Sequence, residues 1–528
     1  MDQLNDLERT DAASHLVCLH DAVEVIERLV KVATGNLRAE RSEKGQLPQH
    51  RTHALAWVST YCAAIRSLVN YGRKLNGEGR LTEIEELIVS IGVGEYIEQI
   101  FGGIAISQNE TARLRHILAE DVIAHFREDD NVRKAIAWGN SAENRARLLH
   151  CWLQANDEPS LGDPDTDEIL ETVRGEMRKF VASEVSPRAH AWHLANDYIP
   201  QSVLAQLGDL GVFGLTIPEE YGGSGLSKAA MCVVTEELSR GYLGVGSLGT
   251  RSEIAAELIR AGGTEEQKRQ YLPDIIAGRK LGAMAITEPA GGSDALGAST
   301  TARREGDDYL INGHKIYITN APVAEYILVI ARTAGAPGQI EGGTWFIIER
   351  GMKGLSTSAP FNKLGLKSSP TGEVILDNVR VPRTNILGEP GRGFHYMMES
   401  LDVERVLEGA STIGIAQACL DAAAAYAQER VVFGKPIAKY QLVQEKIAEM
   451  ATGIELSRTM LYHLLRAVER GEKVTREAAM LKLYSSQMAV KASSDAVQIF
   501  GGNGYMEDYP VARFFRDAKH HEIGAGTS

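Results

Sequence analysis

The sequence predicts a mainly α-helical protein with one β-barrel segment set among helical regions. Three observations lead there. Between residues 81 and 101, Ile84, Leu87, Ile88 and Ile91 fall at the i, i+3, i+4, i+7 spacing of a single helix face. From residue 281 to about 389 the texture changes to short apolar runs separated by turns, among them 326–331, 344–348 and 373–376, as in a small antiparallel barrel or sandwich. After Gly391 the chain is helical again, and Ala-rich at 417–426 and 477–490 as in packed bundle helices.

Taken in order, residues 1–153 read as a helical extension. Thr82 with Glu85 matches a capping box, Gly92 and Gly94 predict a break in the middle of that helix, and Phe101-Gly102-Gly103-Ile104 reads as a helix end. No metal-ligand spacing and no phosphate loop stands there. Residues 154–166 are polar, with Pro159, Gly162 and Pro164 and no apolar period, which predicts a linker. Residues 167–283 predict a second helical domain, 284–389 the β-barrel domain, and 390–528 a helical bundle. Within the barrel, Asn312-Gly313 between two apolar runs predicts a hairpin turn.

The chain has 528 residues, enough for several structural units. Lys and Arg total 56 against 70 Asp and Glu, a net charge of −14, which argues against nucleic acid or an anionic membrane as partner. Apolar residues at 44% and charged residues at 24% fit a soluble globular protein. No apolar run approaches the ~20 residues of a membrane-spanning helix. The five cysteines are scattered, so a reducing compartment is expected, with neither a disulfide framework nor a zinc site. The start, Met1-Asp2-Gln3-Leu4-Asn5-Asp6, has no targeting character. The expectation is a bacterial cytoplasmic protein, although a mature organellar chain would read the same.

Three segments carry chemistry: Met284-Ala285-Ile286-Thr287-Glu288-Pro289-Ala290-Gly291-Gly292-Ser293-Asp294, Lys315-Ile316-Tyr317-Ile318-Thr319-Asn320, and Gln498-Ile499-Phe500-Gly501-Gly502-Asn503-Gly504-Tyr505. Glycines let backbone amides approach a ligand, and Ser293 adds a hydroxyl donor. Singly, each is an ordinary turn or a half-buried strand. No dinucleotide-type glycine fingerprint follows a strand. Together with Arg430-Val431-Val432-Phe433-Gly434-Lys435 and Arg516-Asp517-Ala518-Lys519, in collinear order over 167–528, the segments resemble the acyl-CoA dehydrogenase family of flavoenzymes.

The resemblance implies the family's fold of helical domain, β-barrel and four-helix bundle, here with an extra N-terminal helical domain. It implies FAD as cofactor, an acyl-CoA thioester as substrate and electron transfer flavoprotein as partner. Met284, Ala285, Ile286 and Thr287 would lie along the flavin, Gly292 and Ser293 at the pyrophosphate, and Tyr317, Ile318 and Thr319 at flavin N5. Tyr317 stands where the family has Trp. Arg430, Phe433 and Gln441 match positions reaching the FAD of a neighbouring subunit. Gln498, Gly501 and Gly502 suit a pyrophosphate, and Thr527 completes the set. A homotetramer, or at least a homodimer, follows.

Removing the α-proton of a thioester needs a base. Most of the family places a glutamate just before Gly-Thr near the C-terminus. Here that place reads Ile523-Gly524-Ala525-Gly526-Thr527, and Ala525 takes no proton. Either the chain is inactive or the base comes from elsewhere. A subset, isovaleryl-CoA dehydrogenases among them, carries the glutamate on a bundle helix. Leu401-Asp402-Val403-Glu404-Arg405-Val406-Leu407 is similar to that subset's Asp-Leu-Glu-Arg. The resemblance assigns Glu404 as base, with Asp402, Arg405, Ser293, Ala525 and Gly526 at the substrate. The plain alternative is a solvent-facing stripe of Glu404 and Glu408.

The extension, through the run from Gly94-Glu95-Tyr96-Ile97 to Gln108, resembles the methylsuccinyl-CoA branch of the family. By the resemblance, Arg251, in Leu248-Gly249-Thr250-Arg251-Ser252-Glu253, would fall near the stretch that closes the acyl pocket. It reads equally as the partner of a substrate carboxylate or as a surface arginine beside Glu253 or Glu257. The implied reaction is FAD-dependent α,β-dehydrogenation of a short branched acyl-CoA, methylsuccinyl-CoA to mesaconyl-CoA. Isovaleryl-CoA or another branched thioester, an oxidase using O₂, and a non-catalytic flavin-binding protein stay open.

Overall fold

The computed structural model describes residues 12–107, 110–155 and 168–528. Gln108, the N-terminal hexapeptide and nearly all of the expected linker lie outside the described residues, as do the side chains of Arg251 and Glu253. The chain divides into two compact units. One spans Met1–Asp165, Cys419–Gly471 and Met480–Tyr505; the other spans Thr166–Ala418, Glu472–Ala479 and Met506–Ser528.

In the first unit three long helices, Ala12–Lys44, Gln49–Gly77 and Glu83–Gly102, are followed by shorter ones at Asp130–Gly139 and Ala142–Gln154. They pack with the bundle helix Gln441–Glu469 and with the second part of Thr475–Phe500. The Thr82–Glu85 capping box is formed. The break expected at Gly92 and Gly94 is not there: the helix runs unbroken to Gly102 and is capped by Gly103 at φ 114°. Both glycines serve packing instead. A Cβ on Gly94 would lie 2.4 Å from the Ala135 carbonyl oxygen and 2.7 Å from Gly139 Cα, and one on Gly92 would lie 2.5 Å from a Leu68 methyl. Two helix backbones therefore meet at Gly94–Gly139. Buried tyrosines join extension and bundle, with Tyr96 and Tyr484 hydroxyls 2.5 Å apart and the Tyr61 and Tyr96 rings 4.7 Å apart.

In the second unit the helices Glu168–Phe180, Lys228–Gly241, Leu243–Gly262 and Glu265–Ile276 precede an eight-stranded sheet. Its order is Ile386–Leu387, Gly343–Glu349, Tyr326–Arg332, Thr301–Glu305, Asp308–Thr319, Thr371–Pro382 and Leu355–Thr357, with Gly282–Ala285 parallel to Tyr326–Arg332. Tyr326–Arg332 is buried at every position, which explains its unbroken apolar run. Tyr326, Leu328 and Ile330 pack toward Ala255, Ile259, Leu272 and Ile275 of the helices. Ile327, Val329 and Ala331 point the other way, into a second core with Ile311, Phe346 and Val374. The period of two thus divides one strand between two cores.

The hairpin expected at Asn312-Gly313 is not formed. The chain reverses at Gly306, between Glu305 and Asp308, and 308–319 is one continuous strand with irregularities near Ile311–Gly313 and Lys315–Ile318. Gly313 is needed for close approach, since a Cβ there would meet Thr300 Oγ1 at 2.3 Å. The helix Gly393–Glu429 follows the sheet, and Pro510–Ala518 lies near the end. No described helix is long and apolar enough to cross a membrane.

Candidate active site

The strand Asp308–Thr319 and the turn after Gly282–Ala285 are tied together. Ile316 N donates to the Thr287 carbonyl at 2.9 Å, and Lys315 Nζ donates to the Ile286 carbonyl at 3.0 Å. Met284–Thr287 and Tyr317–Thr319, expected along one cofactor, are therefore neighbours. The turn that follows is closed by Glu288 N to Gly291 O and Gly291 N to Glu288 O, at 3.2 and 3.0 Å. It presents Gly292 and Ser293 to solvent. A Cβ on Gly292 would come no nearer than 3.9 Å to Thr287.

Sequence reasoning missed the clamp beneath this turn. Glu288, 6% exposed, accepts from Ser299 N, Ser299 Oγ and Thr300 N at 2.7, 2.6 and 3.0 Å, and from the fully buried Lys315 Nζ at 2.8 Å. Burial pushes its pKa up, but the Lys315 charge and these donors outweigh burial and hold it at about 2. The two residues are 27 positions apart, so no local spacing points to the pair.

Tyr317 is 67% exposed at φ 60°, the left-handed region that a non-glycine residue rarely adopts. The bulge that produces this conformation turns the ring outward, edge-on to Phe361 at 6.0 Å. An exposed aromatic on strained backbone, beside an open glycine turn, suits the face of a flat ring system.

Glu404 and Glu408 are both buried, at 8% and 7% exposure, so a solvent-facing stripe is ruled out. The C-terminal segment lies along this part of the Gly393–Glu429 helix. A Cβ on Gly526 would stand 3.8 Å from Arg405 Nη2, and His521 Nδ1 donates to Glu408 Oε1 at 2.7 Å. The segment carrying Ala525 is thereby set beside the helix carrying Glu404. Ala525 itself is at φ 51° and Gly526 at φ 96°, a tight turn with an exposed Thr527 beyond it. Asp402 accepts from Thr475 Oγ1 at 2.6 Å and lies 3.7 Å from Arg405 Nη1. Arg251 stands in the Leu243–Gly262 helix. The pair Glu408–His521 was not singled out from the sequence.

The remaining expected cofactor residues lie in the other unit. Arg430 begins a small hairpin, Val431–Val432 with Lys435–Pro436, anchored by Ile437 N to Arg430 O at 2.8 Å and Tyr440 Oη to Val432 O at 2.9 Å. Arg430 and Gln441 are exposed, and Phe433, at φ 51°, is 93% exposed. Gln498, Gly501 and Gly502 are exposed too. Nothing lies within 4 Å of a Cβ built on either glycine, so the surface there is uncrowded. Tyr426 stacks on Phe500 at 4.0 Å and accepts from Asn503 Nδ2 at 3.0 Å, which fixes this turn. Within the second unit, the open turn at Gly292 and the outward Tyr317 ring fit a flavin.

Comparison with known proteins agrees. Family models match in sequence order: acyl-CoA dehydrogenase N-terminal domain over 167–279, middle domain over 283–379 and C-terminal domain over 391–528. A (2S)-methylsuccinyl-CoA dehydrogenase of Cereibacter sphaeroides is 38% identical over 97% of this chain and 96% of its own. A mitochondrial isovaleryl-CoA dehydrogenase of Solanum tuberosum is 40% identical over 69% of this chain and 88% of its own. A chain solved in work on the electron transferring flavoprotein of Acidaminococcus fermentans superposes with TM-score 0.67 at 38% identity, covering 69% of this chain and 95% of that one. The mainly helical fold with its central sheet, the additional N-terminal helices and these matches have one reading: this chain belongs to the acyl-CoA dehydrogenase family, FAD-dependent flavoprotein oxidoreductases acting on the CH–CH bond of an acyl-CoA.

Proposed function

We propose that the chain oxidises (2S)-methylsuccinyl-CoA to mesaconyl-CoA, with Glu404 as the base and electron transfer flavoprotein as electron acceptor. The observation that carries the assignment is the placement of buried Glu404 one residue before Arg405, which packs on Gly526 beside the baseless Ala525. The substrate reading is supported by similarity that runs through the N-terminal extension, over 97% of the chain.

The flavin, when bound, supplies the two-electron acceptor for the hydride that leaves the β-carbon. The chain's part is to hold the thioester and to move one proton. The α-proton passes to the Glu404 carboxylate, which becomes a neutral acid, while the carbon–carbon double bond forms. Burial of Glu404 keeps water from competing for that proton. Thr287, Thr319, Ser293 and the glycine turn hold the cofactor side, and Asp402 and Arg405 hold the substrate side. Arg430, Phe433 and Gln441, all exposed, serve the cofactor of a second copy, which makes the working species a homodimer or homotetramer. The electron-acceptor reading draws support from the structural neighbour solved in work on an electron transferring flavoprotein.

Glu404→Gln keeps shape and removes basicity. Anaerobic flavin bleaching by methylsuccinyl-CoA should slow by at least ~10², the lower end of what a positioned base supplies, while the thioester still binds. Near-normal reduction in this variant rules Glu404 out. A second reading, a branched-chain acyl-CoA dehydrogenase, is favoured by the 40% identity to the isovaleryl enzyme. A higher kcat/KM for isovaleryl-CoA than for methylsuccinyl-CoA decides for it.

A further inference from the structure

The Glu408–His521 pair and a small cavity beside it are used by none of the roles assigned so far. The cavity measures about 20 Å³, room for about one water or one carboxylate oxygen. Leu243, Leu366 and Leu407 give it apolar walls, and Ser247, Glu408 and His521 give it polar ones. His521 is 1% exposed. Its Nδ1 donates to Glu408, yet its Nε2, equally shielded, has no hydrogen-bond partner among the described residues. A buried ring nitrogen left unpartnered is costly and asks for an occupant.

The position suits one. Glu408 follows Glu404 by four residues, so both carboxylates share a helix face, about 6 Å apart along the axis. In methylsuccinyl-CoA the distal carboxyl group is attached to the β-carbon, two bonds from the α-carbon that loses its proton. With the α-carbon against Glu404, those two bonds can carry the distal carboxylate along the helix toward the Glu408 side of the site.

We propose that His521, oriented by Glu408, is a specificity-determining residue whose Nε2–H donates to the distal carboxylate of the acyl group. The inference rests on the dicarboxylic substrate reading above. With Nδ1–H given to Glu408 and Nε2–H to the ligand, the imidazolium stands between two carboxylates, and charges alternate. A substrate anion brought beside Glu408 without such a cation would meet repulsion and desolvation together. An uncharged acyl end gains nothing from the arrangement and leaves Nε2 unpartnered.

The test uses purified holoenzyme and two thioesters: methylsuccinyl-CoA and 2-methylbutyryl-CoA, in which a methyl group replaces the distal carboxyl. His521→Phe should lower kcat/KM for the charged thioester at least ~30-fold more than for the uncharged one, mostly through KM, as for loss of a desolvated charge partner. His521→Gln, which keeps an N–H donor, should recover part of that ratio. Flavin absorbance and thermal unfolding verify that each variant is folded and loaded. Glu408→Gln, of unchanged shape, should shift the ratio in the same direction and supplies the comparison if His521→Phe fails to retain FAD. An equal loss on both thioesters in loaded variants overturns the inference and leaves a structural hydrogen bond. A wild type with no preference for methylsuccinyl-CoA overturns the substrate reading and this inference with it, so the two failures are distinguishable.

Discussion

Lys315 Nζ donates to Glu288 Oε1 at 2.8 Å, and neither side chain is more than 5% exposed. The pair locks the turn that carries Thr287 and Ser293 onto the strand that carries Tyr317 and Thr319. On the reading proposed above, that turn and strand form the cofactor side of the site.

Removing one partner leaves the other as an unpaired buried charge. Lys315→Met should therefore cost about 3–5 kcal/mol of stability, read by urea denaturation. The double variant Glu288→Gln/Lys315→Met should regain most of that loss, because neither buried charge is then left alone. A double variant no more stable than Lys315→Met would show that the turn is held by other contacts.

The same pair sets an acid limit. Glu288 is held at about 2, against an ordinary 4.5. The unfolded chain takes up this proton first, so the contribution to stability is complete above about 4.5 and lost as pH falls toward 2. Asp517 has the opposite sign. Burial, outweighing the Leu366 amide and the Arg513 and Arg516 charges, raises it to about 6 from 3.8. Its contribution is complete below about 3.8 and lost as pH rises through 6. Melting temperatures across pH 3–7 should flatten at the acid end in the double variant and between 4 and 6 in Asp517→Asn. Unchanged pH slopes would remove these residues from the account.

Gly94→Ala places a methyl 2.4 Å from the Ala135 carbonyl, where only backbone movement can relieve it. Overpacking of this kind costs about 1–3 kcal/mol. Hydrogen exchange should quicken across the Glu83–Gly102 and Asp130–Gly139 helices. The strand Tyr326–Arg332, in the other unit, should keep its protection. Gly77→Ala, with no atom within 4 Å of the new methyl, is the control.

Arg251→Ala tests the other candidate cation. If Arg251 meets the substrate carboxylate, its loss should raise the methylsuccinyl-CoA barrier by about 2–5 kcal/mol. The barrier for an uncharged branched thioester should change far less. The measurement is the ratio of kcat/KM values, and an unchanged ratio makes Arg251 a structural residue. Combining the variant with His521→Phe shows by additivity whether both hold one group.

What the sequence revealed follows from how far each signal reaches along the chain. The Thr82–Glu85 cap and the apolar run at 326–331 were legible because a cap is local and a doubly buried strand must be apolar throughout. Gly92, Gly94 and Gly313 were misread for one physical reason. A glycine that admits a neighbour's atoms looks the same in sequence as one that bends its own chain, and only the fold shows Ala135 or Thr300 standing opposite. Glu404 could be singled out as a candidate because a motif surrounds it. Glu288–Lys315 and Glu408–His521 could not, since their partners lie 27 and 113 residues away and meet only through the tertiary fold.

Phe433 occupies the first central position of a two-residue turn, followed by Gly434, with φ of 51° and 79°. Asn-Gly is the pair that such a turn favours, and a large apolar ring 93% exposed is a poor choice for the solitary chain. An engineer ranking substitutions by thermostability alone would choose Phe433→Asn early, and the melting temperature would reward the choice. On the reading given above, that gain removes a ring meant for another copy's flavin. Heat tolerance and cofactor retention would then move in opposite directions at this one position, making it a place where a stability screen selects against the working enzyme.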